Sequence, residues 1–99
     1  MEINKTQSGS VCILTLADRI DTVTSPGLWE ALAEALPGSD TIELDFAKVE
    51  YVSSAGLRVL LSGEKNATAS GKAMRLKNVS PEVMEIFEIT GFSAILKIV

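Results

Sequence analysis

Histidine is absent from the 99-residue chain, and its absence removes several kinds of catalytic site at once. Without imidazole the protein can form neither a Ser–His nor a Cys–His dyad, and it has no imidazole metal ligand. It also lacks the side chain that most often acts as a general base. The sequence also lacks the Gly-Lys-Ser/Thr phosphate loop that nucleotide hydrolases use. Carboxylate or lysine chemistry stays open, but no convergent cluster for it is evident. We therefore expect a protein that is not an enzyme and that needs no cofactor and no metal.

Cysteine, basic charge and long apolar runs are also scarce. The single cysteine, Cys12, excludes an internal disulfide framework and is expected to be a small buried hydrophobic residue. The formal net charge of −4 disfavours nucleic acid as the main partner, because phosphate binding needs a basic patch. No apolar run approaches the ~20 residues that cross a bilayer, and the N-terminus has no signal-peptide pattern. We expect a bacterial-type cytoplasmic protein without membrane insertion.

The residues that are present are those of one small folded domain. Hydrophobic residues make up 46% of the chain and charged residues 22%, which are ordinary proportions. A chain of this length forms one domain with a modest core. We therefore expect a single domain over residues 1–99.

Hydrophobic periodicity predicts strands that alternate with helices. The predicted strands are residues 3–6, 11–16, 41–46, 73–76 and 95–99. The predicted helices begin at Thr24 or Ser25, near Ser54, and at Ser80, and they end at Pro37-Gly38, Gly71 and Gly91. The order β-β-α-β-α-β-α-β predicts an α/β fold with a mixed, mostly parallel sheet of about five strands and three helices.

Four local predictions refine this outline. Ser8-Gly9-Ser10 is typical of a hairpin turn, so the first strand should be an antiparallel edge. Residues 11–16 are apolar at both alternating positions, which predicts a central strand covered on two sides. Residues 41–46 alternate between apolar and polar, which predicts a half-buried strand. Residues 18–21 are predicted to form a polar loop that leaves the second strand.

The most distinctive stretch joins the third strand to the second helix. It is Val49-Glu50-Tyr51-Val52-Ser53-Ser54-Ala55-Gly56-Leu57. A helix N-terminus has unpaired N–H groups and a partial positive charge, so it accepts either a serine side chain as a cap or a phosphate. On position alone, Ser54 is more simply a cap for its helix than an acceptor of phosphate. Gly56 lets another backbone come close.

Together with Leu44-Asp45-Phe46, this run resembles the signature of the STAS domain. That domain occurs in bacterial anti-sigma-factor antagonists and in the cytoplasmic tails of sulfate transporters. Residues 19–26 resemble the family's loop into its first helix, and residues 78–92 resemble its third helix and following turn. The resemblance covers nearly the whole chain with its motifs in order, and it implies the STAS fold.

In that family an anti-sigma kinase phosphorylates the first hydroxyl residue after an aspartate, at the start of the helix. Here Ser53 stands at the aspartate position and Ser54 at the acceptor position, while Ala55, Gly56 and Leu57 match in register. The resemblance therefore implies phosphorylation at Ser54. It leaves Ser53 as a loop hydroxyl, an alternative cap or a competing acceptor.

The resemblance also implies a partner-binding surface around the acceptor. Its predicted residues are Asp21, Thr24, Ser53, Ser54, Ala55, Gly56, Leu57 and Arg58. For Asp21, a partner contact and a plain loop carboxylate that accepts bonds from nearby amides are both open. Arg58 should be solvated, with a partner carboxylate or a phosphate as a possible ion-pair partner. Asp45 is expected to order the loop around Ser54.

The implied function is regulation of transcription by partner switching. The unphosphorylated protein would bind a serine-kinase anti-sigma factor and free a sigma factor. Phosphorylation at Ser54 would release it, and a phosphatase would reactivate it. We expect a monomer or weak dimer.

The alternative is a STAS accessory subunit of a lipid-transport ABC system that docks on its ATPase. Trp29 and its preceding residues resemble that group faintly, whereas residues 53–61 favour the antagonist.

Overall fold

The computed structural model describes residues 2–99 and consists of one four-stranded sheet with three α-helices. The strands are β1 Asn4–Ser8, β2 Val11–Ile20, β3 Thr41–Val52 and β4 Ala73–Lys77. The helices are α1 Ser25–Ala35, α2 Ser54–Ala69 and α3 Pro81–Thr90, with 3₁₀ turns at Leu36–Gly38 and Phe92–Ala94. The strand order in the sheet is β1-β2-β3-β4. β1 pairs antiparallel with β2, whereas β2 with β3 and β3 with β4 pair in parallel. The predicted mixed α/β fold is confirmed.

The hairpin lies where the turn residues predict it. Gly9 has φ +62°, in the left-handed region that glycine adopts freely. Ser8 pairs with Val11 and Asn4 with Thr15, so β1 is the antiparallel edge of the sheet.

One face of the sheet supplies the core. The buried residues of this face are Cys12, Leu14, Leu16, Ile42, Leu44, Phe46, Met74 and Leu76. The helices add Leu28, Leu32, Leu57, Leu60, Ala67, Val83 and Phe87 to the same cluster. The ring of Phe87 meets Phe46 edge-on with 6.1 Å between centroids, which anchors α3 to β3. Each large apolar side chain buried in this way contributes ~1.5–3 kcal/mol.

The opposite face of β2 is only half-buried, so the prediction of a strand covered on two sides is wrong. Ile13 on this face pairs across the sheet with Glu43, which is itself buried. The Glu43 carboxylate lies 2.9 Å from Arg75 Nε and 2.8 Å from Lys77 Nζ. Two cations therefore compensate the buried carboxylate on this face.

Both central strands run past their predicted ends. β2 continues to Ile20, so the predicted polar loop at 18–21 is wrong for its first three residues. The register between β2 and β3 shifts between Thr15 and Ala17 and again at Asp18, which has φ +65°. Such bulges break the two-residue alternation on which strand prediction depends.

The predicted fifth strand at 95–99 does not form among the described residues. Ile95 has φ −97° and ψ −44° because it completes the 3₁₀ turn Phe92–Ala94. Only Ile98 pairs with Leu76, as an isolated parallel bridge. The turn takes up residues that a full strand would need in extended form, so the sheet has four strands instead of about five.

Candidate functional site

The candidate site lies where β3 ends and α2 begins. Ser53 is the N-cap of α2, with extended backbone (φ −86°, ψ 176°), and its Oγ accepts a hydrogen bond from the Gly56 N–H at 3.4 Å. Ser54 is the first residue of the helix, and its side chain is exposed. The prediction that Ser54 caps its helix is therefore wrong, and the alternative of Ser53 as the cap is confirmed. Adjacent serines are equally good caps, so local sequence does not distinguish them.

The backbone of Ser53 ties α2 to the end of β2. Its N–H donates to the Ile20 carbonyl at 2.8 Å, and its own carbonyl accepts from the Leu57 N–H at 2.9 Å. Gly56 is buried here, and a Cβ on it would lie 2.8 Å from both Cγ2 and the carbonyl oxygen of Ile20. The absence of a side chain at Gly56 therefore makes room for the backbone of Ile20, which belongs to the same chain.

Asp21 orders the loop between β2 and α1. Its Oδ1 accepts from the N–H groups of Val23 at 3.0 Å and Thr24 at 3.1 Å. The bond from the Thr24 backbone lowers the pKa of Asp21 most, against the opposing effect of desolvation. The interpretation of Asp21 as a loop carboxylate is confirmed, and its contact with a partner stays a prediction.

Thr24 occupies the N-cap position of α1 without capping the helix through its side chain. Its Oγ1 instead accepts from the Asp21 N–H at 2.8 Å and donates to the Arg19 carbonyl at 2.8 Å. The hydroxyl of Ser25 donates to the Asp21 carbonyl. Both hydroxyls therefore fasten the Asp21 loop, so neither of the predicted capping roles is found.

The structure brings the Asp21 loop and Ser54 to the same end of the molecule. The link is Ile20, whose carbonyl binds the Ser53 N–H while the next residue is Asp21 itself. Asp21 directly follows Ile20, and Ser54 directly follows Ser53, so each is one residue away from this hydrogen bond. That the two form one partner-binding face stays a prediction.

A contact between Arg19 and Tyr51, near the Asp21 loop, was not predicted from the sequence. The Arg19 guanidinium carbon lies 4.3 Å from the centroid of the Tyr51 ring, which is a cation–π contact. Arg19 Nε also lies 3.9 Å from Asp21 Oδ2. The contact depends on the Arg19–Tyr51 cross-strand pair, which forms only because both strands run past their predicted ends.

We call this part of the protein the junction surface, and it consists of Arg19, Asp21, Val23, Tyr51 and Ser54. Val23 is 86% exposed and Tyr51 is 38% exposed, so the junction surface presents apolar side chains to water. Exposed apolar groups beside a few polar ones are typical of a surface that binds another protein.

The other predicted partner-binding residues divide into exposed and buried ones. Arg58 is exposed one helical turn beyond Ser54, and Ala55 is half-buried. Gly56 and Leu57 are buried, so they support the first turn of α2 from beneath and do not offer a surface for contact. Leu57 lies three residues before the buried Leu60, on the same face of α2, and this spacing turns it toward the core.

Asp45 orders a different part of the chain from the one predicted. Its Oδ1 accepts from the Ala47 N–H at 3.0 Å and from Asn78 Nδ2 at 3.1 Å. Burial acts to raise the pKa of Asp45, but these bonds hold it below its ordinary value. Because β3 continues to Val52, Asp45 is separated from Ser54 by strand, and the prediction that it orders the loop around Ser54 is wrong.

A groove of about 500 Å³ lies between β3 and the start of α3. Its lining combines Lys48 with the acidic side chains Asp18, Glu50 and Glu82, so it does not offer the basic lining that a phosphate group requires. Within residues 2–99 no three His, Cys, Asp or Glu side chains gather as a metal site. In the same part of the chain, none of the helices has the length and apolar character to cross a membrane.

Comparisons with known proteins point to one family. The family model described as "Mlab, STAS domain" matches residues 3–98. A protein of Bordetella bronchiseptica named as the anti-sigma factor antagonist BtrV is 36% identical over 69 residues, which are 70% of this chain and 60% of that protein. The anti-sigma-B factor antagonist of Bacillus subtilis is 28% identical over 85 residues, which are 86% of this chain and 78% of that protein.

Solved structures share the fold. The anti-sigma factor antagonist SpoIIAA in its unphosphorylated form superposes with a TM-score of 0.82 at 17% identity, over 99% of this chain and 88% of that one. A protein of Thermotoga maritima described as an anti-sigma factor antagonist superposes with a TM-score of 0.89 at 20% identity, over 97% and 84%. At these identities the likeness shows the fold alone.

Proposed function

This chain belongs to the STAS domain family, and on that basis we propose that it is an anti-sigma-factor antagonist that docks through its junction surface. Its partner is a serine-kinase anti-sigma factor, and binding of the unphosphorylated protein frees a sigma factor. The observation that carries the proposal is the exposed hydroxyl of Ser54, which caps no helix and stands beside the ordered Asp21 loop. The names of the curated relatives support the same function.

The chemistry of Ser54 is suited to a switch. Unmodified, it presents a small neutral group on a junction surface that also exposes the apolar side chains of Val23 and Tyr51. Phosphorylation adds about −1.5 to −2 charges and three strong acceptors. A partner packed against the neutral hydroxyl would bury that charge without compensation, which is costly. A loss of only ~2.7 kcal/mol in binding weakens affinity about a hundredfold.

The fold itself tolerates the modification. Ser54 makes no cap that a phosphate would break, because Ser53 performs that role. The first turn of α2 has no acidic residue, and a phosphate there meets the partial positive charge of the helix N-terminus. The switch therefore acts on binding and leaves the structure in place.

The remaining parts of the cycle belong to other proteins. ATP and magnesium belong to the kinase, and a phosphatase removes the phosphate from Ser54. The protein itself catalyses no reaction and acts as a monomer or weak dimer in the cytoplasm, where sigma factors meet RNA polymerase.

The test is phosphorylation by the anti-sigma serine kinase of the same genome, followed by mass mapping of the label. We expect label on Ser54, none in Ser54→Ala, and loss of kinase binding after modification. Label on another residue, or binding that survives modification, would overturn the switch. No label with any such kinase, together with binding to an ABC ATPase, would contradict the proposal and favour the accessory-subunit alternative.

A further inference from the structure

We propose that Ser53 is a positioning residue that makes Ser54 the phosphate acceptor. The inference rests on the proposed function, because it requires a kinase that acts at the junction surface. Ser53 stands where an acidic residue is expected from the family pattern, and the structure gives this second serine a definite role of its own.

The two hydroxyls differ in how firmly they are held. Ser53 is half-buried and anchored at three atoms: its N–H bonds Ile20, its carbonyl bonds Leu57 at 2.9 Å, and its Oγ accepts from Gly56 at 3.4 Å. Ser54 is exposed. A kinase must align the acceptor oxygen with the terminal phosphate of ATP. Ser53 meets that requirement only if the start of α2 is pulled apart, whereas Ser54 meets it in the folded state.

The packing behind Ser53 resists such a movement. A Cβ on Gly56 would lie 2.8 Å from the Ile20 carbonyl oxygen and 2.9 Å from Val52 Cγ1, so the first turn of α2 is already in close contact with both strands. The turn has no room to shift toward β2 and turn the Ser53 hydroxyl outward. The cap and the tight glycine contact therefore hold Ser54 at one place relative to the Asp21 loop.

Removing the cap should reduce the share of molecules that present Ser54 correctly. An uncapped first turn frays, because the Gly56 N–H loses its acceptor. Apparent affinity for an enzyme falls with the fraction of substrate in the competent conformation. We therefore expect Ser53→Ala to raise the kinase KM for this protein by up to about fivefold, the limit set by the ~1 kcal/mol typical of a lost N-cap. The kcat should change little.

Two variants separate positioning from other effects. Ser53→Asn restores a neutral cap of equal strength without a hydroxyl, so its KM should return to within about twofold of the wild-type value. Ser80→Ala is the matched control, because Ser80 Oγ caps α3 in the same way by accepting from Val83 N–H at 3.2 Å. It removes a helix cap elsewhere and should leave the KM unchanged.

The claim that the Ser53 cap holds the first turn of α2 can be tested without the kinase. Hydrogen exchange of the Gly56 amide should be faster in Ser53→Ala, normal in Ser53→Asn and normal in Ser80→Ala. Unchanged Gly56 exchange in Ser53→Ala would show that the cap does not hold the turn.

The outcomes also separate this inference from the proposed function. Label on Ser53 in the wild type, an unchanged KM in Ser53→Ala, an equal rise in Ser80→Ala, or no recovery in Ser53→Asn would each overturn the positioning role. Phosphorylation of Ser54 would still stand in the last three cases. Absence of label on wild-type Ser54 would instead overturn the proposed function and the inference with it.

Discussion

The carbonyl oxygen of Ile20 accepts a hydrogen bond from the backbone N–H of Ser53 at 2.8 Å, and this bond joins the end of β2 to the start of α2. Ile20 precedes the Asp21 loop and Ser53 precedes Ser54, so one contact sets the relative position of both parts of the junction surface. A partner that binds both parts meets a preorganised surface, which reduces the entropy lost on association.

The first prediction concerns the glycine beneath this joint. Gly56→Ala places a Cβ 2.8 Å from the backbone oxygen of Ile20, which cannot rotate away, so we expect a loss of about 1–3 kcal/mol in the free energy of unfolding. Gly27→Ala in α1 is the control, because its Cβ meets no atom within 4 Å, and it should stabilise the helix by up to about 1 kcal/mol. Urea denaturation measures both. Equal stability of the two variants would show that the joint is loose.

The second prediction separates charge from shape at the acceptor. Ser54→Asp introduces a negative charge at an exposed site, so binding to the anti-sigma kinase should weaken by about tenfold or more, equivalent to ~1.4 kcal/mol. Ser54→Asn introduces a side chain of nearly the same size as aspartate but without its charge, so this variant should bind the kinase more tightly than Ser54→Asp. Isothermal titration calorimetry measures both affinities. Equal weakening by the two variants would mean that shape, and not charge, controls docking.

The third prediction tests the aromatic part of the junction surface. Tyr51→Ala removes the ring under Arg19 and should weaken kinase binding by more than ~1 kcal/mol, as expected for a central aromatic in an interface. Trp29 on α1 is a matched control, because it is also aromatic and also 38% exposed. Trp29→Ala should leave the affinity of the folded protein unchanged. A greater loss from Trp29→Ala would move the docking surface onto α1.

The fourth prediction concerns pH and the outer face of the sheet. The hydrogen bond from Lys77, with help from Arg75, lowers the pKa of Glu43 below its ordinary value of 4.5 although burial opposes the shift. A lowered folded pKa means that the ionised carboxylate stabilises the fold above pH 4.5, and that this stability is lost as the pH falls through the folded pKa.

Glu43→Gln tests this assignment. The variant should lose about 1 kcal/mol at neutral pH, and its unfolding free energy should depend less on pH below pH 4.5 than that of the wild type. Thermal unfolding across that range measures the difference. Parallel pH profiles for the two proteins would show that the ion pairs contribute nothing.

Much of the fold could be predicted because its signals are local. Ser80 caps α3, Pro81 opens it and Gly91 ends it with φ +82°, so each signal lies at the helix end that it sets. The start of α2 was less determined, because Ser53 and Ser54 are equivalent by local rules. What separates them is the distant contact with Ile20, which no local pattern contains.

The same explanation covers two other errors. The Arg19–Tyr51 contact depends on register shifts near Asp18, and these follow from how two remote strands pair. Asp45 was placed near Ser54 because the prediction ended its strand too early. Strand ends and registers set by long-range pairing therefore differ from the prediction, and so do the caps expected at Thr24 and Ser54, whereas the Ser80 cap and the turn at Gly9 agree with it.

The central claim is that a phosphate on Ser54 changes binding without changing the fold. The most direct measurement compares fully Ser54-phosphorylated protein with unmodified protein in Kd for the anti-sigma kinase, without ATP, and in Tm. We predict a Kd about a hundredfold weaker, equivalent to ~2.7 kcal/mol, with a Tm change below about 4 °C. An unchanged Kd, or a Tm that falls far enough to explain the lost binding, would contradict the account.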